Sequence, residues 1–408
     1  MNAAAPVGGR RRAAIAFIFI TIVLDIFALG MIIPVLPHLV EDFLGGDTAG
    51  AAKVYGVFGA VWALMQFLSM PVMGALSDRF GRRRVILLSN FGLGLDYVLM
   101  ALAPNLAWLF VGRVISGITA ASISTGMAYI ADITPPERRA ASFGKVGVAF
   151  GLGFVLGPAL GGLLGSVDPR LPFWAAAAFS FANALYGLFI LPESLPPEKR
   201  RSFEWRRANP LGSLELLRSH RELSGLAGVV FLSNLAHAAL PATFVLYAAY
   251  RYDWDARDVG FVLAGIGICS AIVQGALVGP AVRRLGERRV LLTGLSCGAL
   301  GFFVYGLAPT GALFLAAVPV VALWGLASPA AQGLMTRHIG PSEQGALQGA
   351  AGSVMGIANM IGPWLFAGTF AYFIGEGVRW HAPGAAFVLA AALLAAGAVL
   401  AAQVTAGR

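Results

Sequence analysis

The chain has 408 residues, of which 58% are hydrophobic, 12% are charged and 52 are glycine. With glycine counted, about 70% of it is apolar against roughly 45–50% for a soluble domain, which excludes a soluble enzyme and a disordered scaffold and leaves a polytopic membrane protein. The net charge of +9 would suggest nucleic acid in a soluble chain; here it belongs in cytoplasmic loops, and no nucleic-acid partner is expected.

A helix needs about 20 mostly apolar residues to cross the hydrocarbon core. Arg10, Arg11 and Arg12 precede the first apolar run, 13–37. That run is too long for a signal-peptide core and lacks a small-residue cleavage site, so it reads as a retained first span. Five more runs follow at 54–73, 85–103, 106–131, 141–165 and 172–192. The hydrophilic stretch 193–222 carries seven basic and five acidic residues and reads as a linker. Beyond it lie runs at 223–250, 258–282, 290–308, 311–336, 344–373 and 383–404. These are continuous and far longer than the roughly 10-residue strands of a β-barrel. The expected fold is an all-α membrane protein of twelve transmembrane helices in two six-helix bundles, 1–192 and 223–408. Cys269 and Cys297 sit inside apolar runs without metal-ligand or disulfide spacing, and neither metal nor cofactor is expected.

Lys and Arg set the orientation. Twenty-three fall at the N-terminus, in the linker, in the even-numbered loops and at the C-terminus; five (Lys53, Arg170, Arg251, Arg257, Arg379) fall opposite, and Arg113 lies inside a span. The positive-inside rule then places both termini in the cytoplasm.

The halves carry a repeat. The stretch from Gly74 through Asp78 and Gly81 to Arg84 recurs 205 residues on as Gly279, Arg283, Gly286 and Arg289, and Gly157-Pro158 recurs as Gly362-Pro363. Two matches at one offset imply bundles of parallel topology related by an axis along the membrane normal, with a cavity between them near the midplane. Gly74 and Gly81 suit a tight turn. Asp78 suits a helix N-terminus such as that of the eleventh span, and Arg79 and Arg82 suit anchoring at the headgroups. Gly157, Pro158, Gly362 and Pro363 suit close helix contacts that open and shut as the halves move.

An intramembrane charge costs about 2.5–3.5 kcal/mol even on lenient insertion scales. Asp25, Asp96 and Arg113 are the three clear cases. Burial of a carboxylate opposes its ionisation and a nearby guanidinium favours it, a balance suited to carrying a proton. The plainer reading is a static pair that orients helices. His237 could relay a proton or simply line a polar cavity. Gln66, Asn234, Gln274 and Gln332 are uncharged polar groups at membrane depth, and Trp62 could stack on a flat substrate or pack in the core.

Taken together, these motifs resemble the major facilitator superfamily, and within it the tetracycline-resistance group of drug–proton antiporters. GALSDRFGRRR from Gly74 is similar to the loop motif between helices 2 and 3. The run from Leu24 to Pro37, GRVISGITAA from Gly112, and FGLGFVLGPALGG from Phe150 resemble the helix 1, 4 and 5 motifs. GLDYVLMA in helix 3, Ala63–Gln66 and SEQGALQG from Ser342 point to the narrower group. Two positions depart from it: Ser270 stands where those exporters carry a helix 8 histidine, and Cys297 where they carry a helix 9 aspartate. The resemblance implies an inner-membrane secondary transporter, driven by the proton gradient, that exports small amphiphilic drugs. Its partners would be the substrate, protons and the bilayer, and a monomer is expected. A transporter of a defined metabolite with other coupling is the alternative, and a non-transporting membrane sensor is a third. No G-x-x-x-x-G-K-[ST], H-E-x-x-H or G-x-S-x-G motif occurs, which argues against ATP-driven transport and against an intramembrane hydrolase.

Overall fold

Lipid offers no hydrogen bonds to a backbone, so each crossing segment must satisfy its own, and the helix is the local solution. The computed structural model describes residues 7–120, 122–134, 136–200, 221–339 and 344–406, and every regular element among them is helical. The first half holds α1 (Val7–Ile32), α2 (Leu36–Phe43), α3 (Thr48–Phe80), α4 (Arg82–Ala101), α5 (Leu106–Ala120), α6 (Ser122–Ile133), α7 (Pro136–Gly165) and α8 (Leu171–Ile190). The second holds α9 (Arg221–His237), α10 (Ala239–Tyr252), α11 (Ala256–Ile272), α12 (Val278–Leu307), α13 (Gly311–Ala322), α14 (Ala327–Thr336), α15 (Gln344–Ile374) and α16 (Ala385–Val404). Much of the linker, 201–220, lies outside the described residues.

Among the described residues eleven helical stretches are long and apolar enough to span a bilayer. One of them, Ala256–Leu307, has 52 residues. At about 1.5 Å per residue it would run more than twice the ~30 Å hydrocarbon core. It is broken at Gly286, whose φ of 76° no helix accommodates, and so supplies two spans. The total is twelve. Gly81, at φ 99°, divides α3 from α4 at the matching position, so both copies of the loop repeat turn on the same left-handed glycine.

Side chains start several helices by accepting orphan N–H groups. Asn105 Oδ1 accepts from Ala107 and Trp108 at α5, and Asp255 from Asp258 at α11. Thr310 Oγ1 does the same for Leu313 at α13. Apolar side chains that no core covers, such as Leu88, Phe189 and Leu300, are more than half exposed, as a lipid-facing surface requires.

By internal contact the chain forms two compact units: Met1–Val35 with Leu64–Asn209, and Leu36–Ala63 with Pro210–Arg408. In the first, Ile18, Ile22 and Ile26 lie along one face of α1 and pack on Ile86, Tyr129, Ile130 and Val146. On α7, a Cβ added at Gly157 would sit 2.8 Å from Gly30 Cα, and one at Gly161 would strike the Met31 carbonyl. The missing side chains are what let α7 lie flat on α1.

The second unit has an aromatic core. Tyr305 stacks on Phe314 at 3.9 Å between centroids, Tyr247 meets Phe387 edge-on at 5.0 Å, and the Tyr247 hydroxyl donates to the Tyr305 carbonyl at 2.9 Å. The early part of α3 belongs to this unit because Gly56 and Gly59 press on Ala367 and Pro363 of α15, where added Cβ atoms would come within 2.7 Å. Gly362 meets Ala238 in the same way.

Two irregular turns interrupt this unit. A π-turn, Val273–Leu277, follows α11, and a 3-10 turn, Leu323–Leu326, joins α13 to α14. Pro280 lies just beyond the π-turn; it cannot donate to the preceding turn and its ring crowds the carbonyl four residues back, which a widened turn accommodates.

Candidate functional site

The first unit gathers the intramembrane charges. Asp25 of α1 accepts a 2.8 Å hydrogen bond from Nδ2 of Asn183 on α8, and the same amide donates to the Thr21 carbonyl at 3.0 Å. Asn183 is fully buried, so this carboxylate is held by one fixed donor from a neighbouring helix. Asp96 of α4 is buried, as are Arg113 and Ser116 of the neighbouring α5. Gly112 leaves room for it, since a Cβ there would lie 3.1 Å from Asp96 Oδ1. The phenol of Tyr97, wholly buried, is within range of the charges of Asp25, Asp96 and Arg113 together. The three residues singled out from sequence therefore share one buried neighbourhood.

At the end of the same unit, the Gly74–Arg84 loop is a charge network. Arg82 pairs with Asp78 at 2.6 Å and with Asp132, at the end of α6, at 3.2 Å, and its guanidinium also meets the Ser77 hydroxyl. Ser77 in turn donates to the Gly74 carbonyl. Glu193 accepts from the Arg82 backbone N–H at 2.9 Å, capping α4 from the start of the linker. Arg79 lies over the Phe80 ring at 5.1 Å. Asp78 thus finds its cation inside its own loop; the residues leading into the eleventh span expected to receive it, 340–343, lie outside the described residues.

The second copy reverses the sign at three positions of this network. A shift of 205 residues takes Asp78, Arg82 and Asp132 onto Arg283, Glu287 and Arg337. Glu287 and Arg337 form an ion pair at 3.0 Å, the counterpart of Arg82 with Asp132. Within the loops Asp78 is replaced by Arg283 and Arg82 by Glu287; the third reversed position, Arg337, falls 50 residues beyond Glu287, outside the loop.

Gly157 and Pro158 are buried, and the glycine face of α7 at 153, 157 and 161 is taken up by α1 within its own unit, where the sequence suggested a contact between the halves. Gly362 and Pro363 pack on Ala238 and on the early part of α3 within theirs. Of the polar candidates, Gln66 groups with the first unit and Trp62, one turn earlier on α3, with the second. His237 closes α9 with its ring 5.5 Å from Trp324, whose indole donates to Ser233 at 3.0 Å. Gln274 stands exposed on the π-turn. Gln332 donates to Gln348 at 2.9 Å, and Asn234 donates back to its own helix at Val230. Among the described residues no three His, Cys, Asp or Glu side chains converge as a metal site would require. Asn183, Ser116 and Tyr97 were missed by sequence reasoning. A neutral amide inside a span was the available signal for Asn183; Ser116 and Tyr97 lie inside the motifs GRVISGITAA and GLDYVLMA without being distinguished within them.

The profile of the Major Facilitator Superfamily matches residues 18–363. The chain is 38% identical over 380 residues to the class C tetracycline resistance protein of Escherichia coli, covering 93% of this chain and 94% of that one. It is 35% identical over 383 residues to the class D tetracycline resistance protein of Salmonella ordonez, covering 94% of each. Its structure is similar to that of the human organic anion transporter MFSD10 (TETRAN), with a TM-score of 0.70 at 26% identity over 96% of this chain and 99% of that one.

Proposed function

Because the chain belongs to the major facilitator superfamily, we propose that it is a proton-coupled antiporter exporting small amphiphilic drugs, tetracycline-like or of other classes, across the inner membrane. Both termini lie in the cytoplasm in this reading, in keeping with 23 basic residues on that side against 5 opposite. The observation that carries it is the Asp25 carboxylate, inside a span, held by Asn183 in the neighbourhood of Asp96 and Arg113. A carboxyl group inside a span exchanges its proton only where water reaches it, so a change in access moves a proton on or off. If access alternates between the two sides of the membrane, the proton taken up on one side is released on the other, and the drug moves the opposite way. The energy source is then the gradient, with no cofactor. In the second unit His237, Gln274, Gln332, Asn234 and Trp62 offer polar and aromatic groups to an amphiphile, and in the first Gln66 does.

The test is proton release from acid-loaded proteoliposomes on adding each of a panel of drugs. Asp25→Asn is expected to remove drug-induced proton movement while the protein stays folded in the membrane. Undiminished coupled transport in that variant would remove Asp25 from the mechanism. A second reading, transport of a defined organic anion, is favoured by the likeness to the human organic anion transporter. Anionic amphiphiles in the same panel separate the two.

A further inference from the structure

A groove of about 360 Å³ runs between α11 and α13 in the second unit. Phe261, Gly265 and Cys269 line it from α11, and Leu315, Val318 and Pro319 from α13. The α11 residues are spaced by four and form a single stripe along the helix. The next residue in that stripe towards the helix start is Arg257, exposed, with its guanidinium 5.8 Å from the Phe261 ring. A cation therefore stands at one end of an apolar channel.

The dimensions suit one kind of occupant. From Arg257 to Cys269 is twelve residues, about 18 Å of helix, close to the ~15 Å half-thickness of the hydrocarbon core. A Cβ added at Gly265 would meet nothing within 4 Å, so the middle of the groove is open space. The other polar residues of this span, Asp258, Ser270 and Gln274, share the neighbouring i, i+4 row with Val262, which also lines the groove, but none of the three lines it. Apart from the Cys269 thiol and the Leu315 carbonyl that Pro319 leaves without its helix donor, the lining is apolar.

We propose that this groove is a phospholipid site: an acyl chain lies along Phe261, Gly265 and Cys269, and the anionic phosphate of its headgroup rests on Arg257. The charge at the mouth and the apolar channel below it complement the two ends of such a lipid. The site needs α11 to cross the membrane with this groove open to lipid, and it stands whether or not drugs are exported.

Two measurements test it. In a Cys297→Ser chain in detergent, maleimide modification of Cys269 should slow when phosphatidylglycerol is added and stay fast with diacylglycerol of the same chains. In native mass spectrometry, retained phosphatidylglycerol should fall about fivefold in Arg257→Gln, the worth of one basic side chain at a headgroup. It should fall further in Gly265→Leu, which fills the groove. Arg379→Gln, an exposed arginine elsewhere, should match the unaltered chain. Equal protection by diacylglycerol, equal loss in Arg379→Gln, or protection by an anionic drug but not by phosphatidylglycerol would each overturn the proposal. The first measurement uses the groove residues unaltered, so a misfolded variant cannot decide the matter.

Discussion

The two sign-reversed triads make a direct prediction about single residues. Arg82 keeps only 11% of its side-chain surface exposed, so Asp132→Arg would press a second cation against one that water barely reaches. Removing a partner from a well-buried pair costs about 3–5 kcal/mol, and from an exposed one under about 1. Asp132→Arg should fall between these limits and lower the melting temperature of the purified protein by several degrees. The triple change Asp78→Arg, Arg82→Glu, Asp132→Arg writes the pattern of the second copy into the first, and should recover most of that loss. Glu287→Arg with Arg337→Glu should likewise melt higher than either single reversal. A triple variant no more stable than Asp132→Arg would mean that the loop reads charge identity and not charge complementarity. Asn183 belongs at this scale too. Asn183→Leu removes the donor to Asp25 and should weaken drug-induced proton release while leaving drug binding measurable in detergent.

Helices pack here by omission of side chains. Gly157 faces the backbone of α1 at Gly30, so no side-chain rearrangement makes room for a larger residue. Overpacking of this kind costs about 1–3 kcal/mol or more, and Gly157→Leu is expected to reduce membrane yield and melting temperature sharply. At Gly151 of the same helix a Cβ meets nothing within 4 Å, and Gly151→Ala should be tolerated. Similar yields for both variants would refute the packing argument. The spans and the loop repeat were legible in the sequence because hydropathy and offset are carried by composition and by glycine: Gly81 and Gly286 match at 205 residues and both adopt positive φ. The partner of α7 was not legible. A glycine stripe says that something comes close and leaves open which helix it is. The turns at Val273–Leu277 and Leu323–Leu326 also escaped, because both lie inside apolar runs where hydropathy has no feature. Asp25 was visible as a charge in a span, while its donor Asn183 lies 158 residues away and only the fold brings them together.

For the transporter as a whole, the ionisable groups are unevenly shared. Asp25, Asp96 and Arg113 all belong to the first unit. In the second, Ser270 and Cys297 occupy positions where resemblance to the tetracycline exporters implies a histidine and an aspartate, and both are half-buried in α11 and α12. Proton coupling would then rest on the first unit, and a metal-chelated tetracycline would meet a less charged wall in the second. Charge pairing in a desolvated site discriminates strongly, and losing one pair worth about 1.4 kcal/mol is a tenfold change in affinity. The expected outcome in a pump-deficient host is stronger protection against uncharged or weakly charged amphiphiles than against tetracycline. Restoring the acid by Cys297→Asp, together with Ser270→His, should move protection towards tetracycline. Susceptibility measured across drug classes for the two proteins reads this directly. Strong tetracycline resistance from the unaltered chain, with little effect on other amphiphiles, would mean that neutral groups such as Gln274 and Gln332 suffice to hold that substrate, and that charge in the second unit does not set the range.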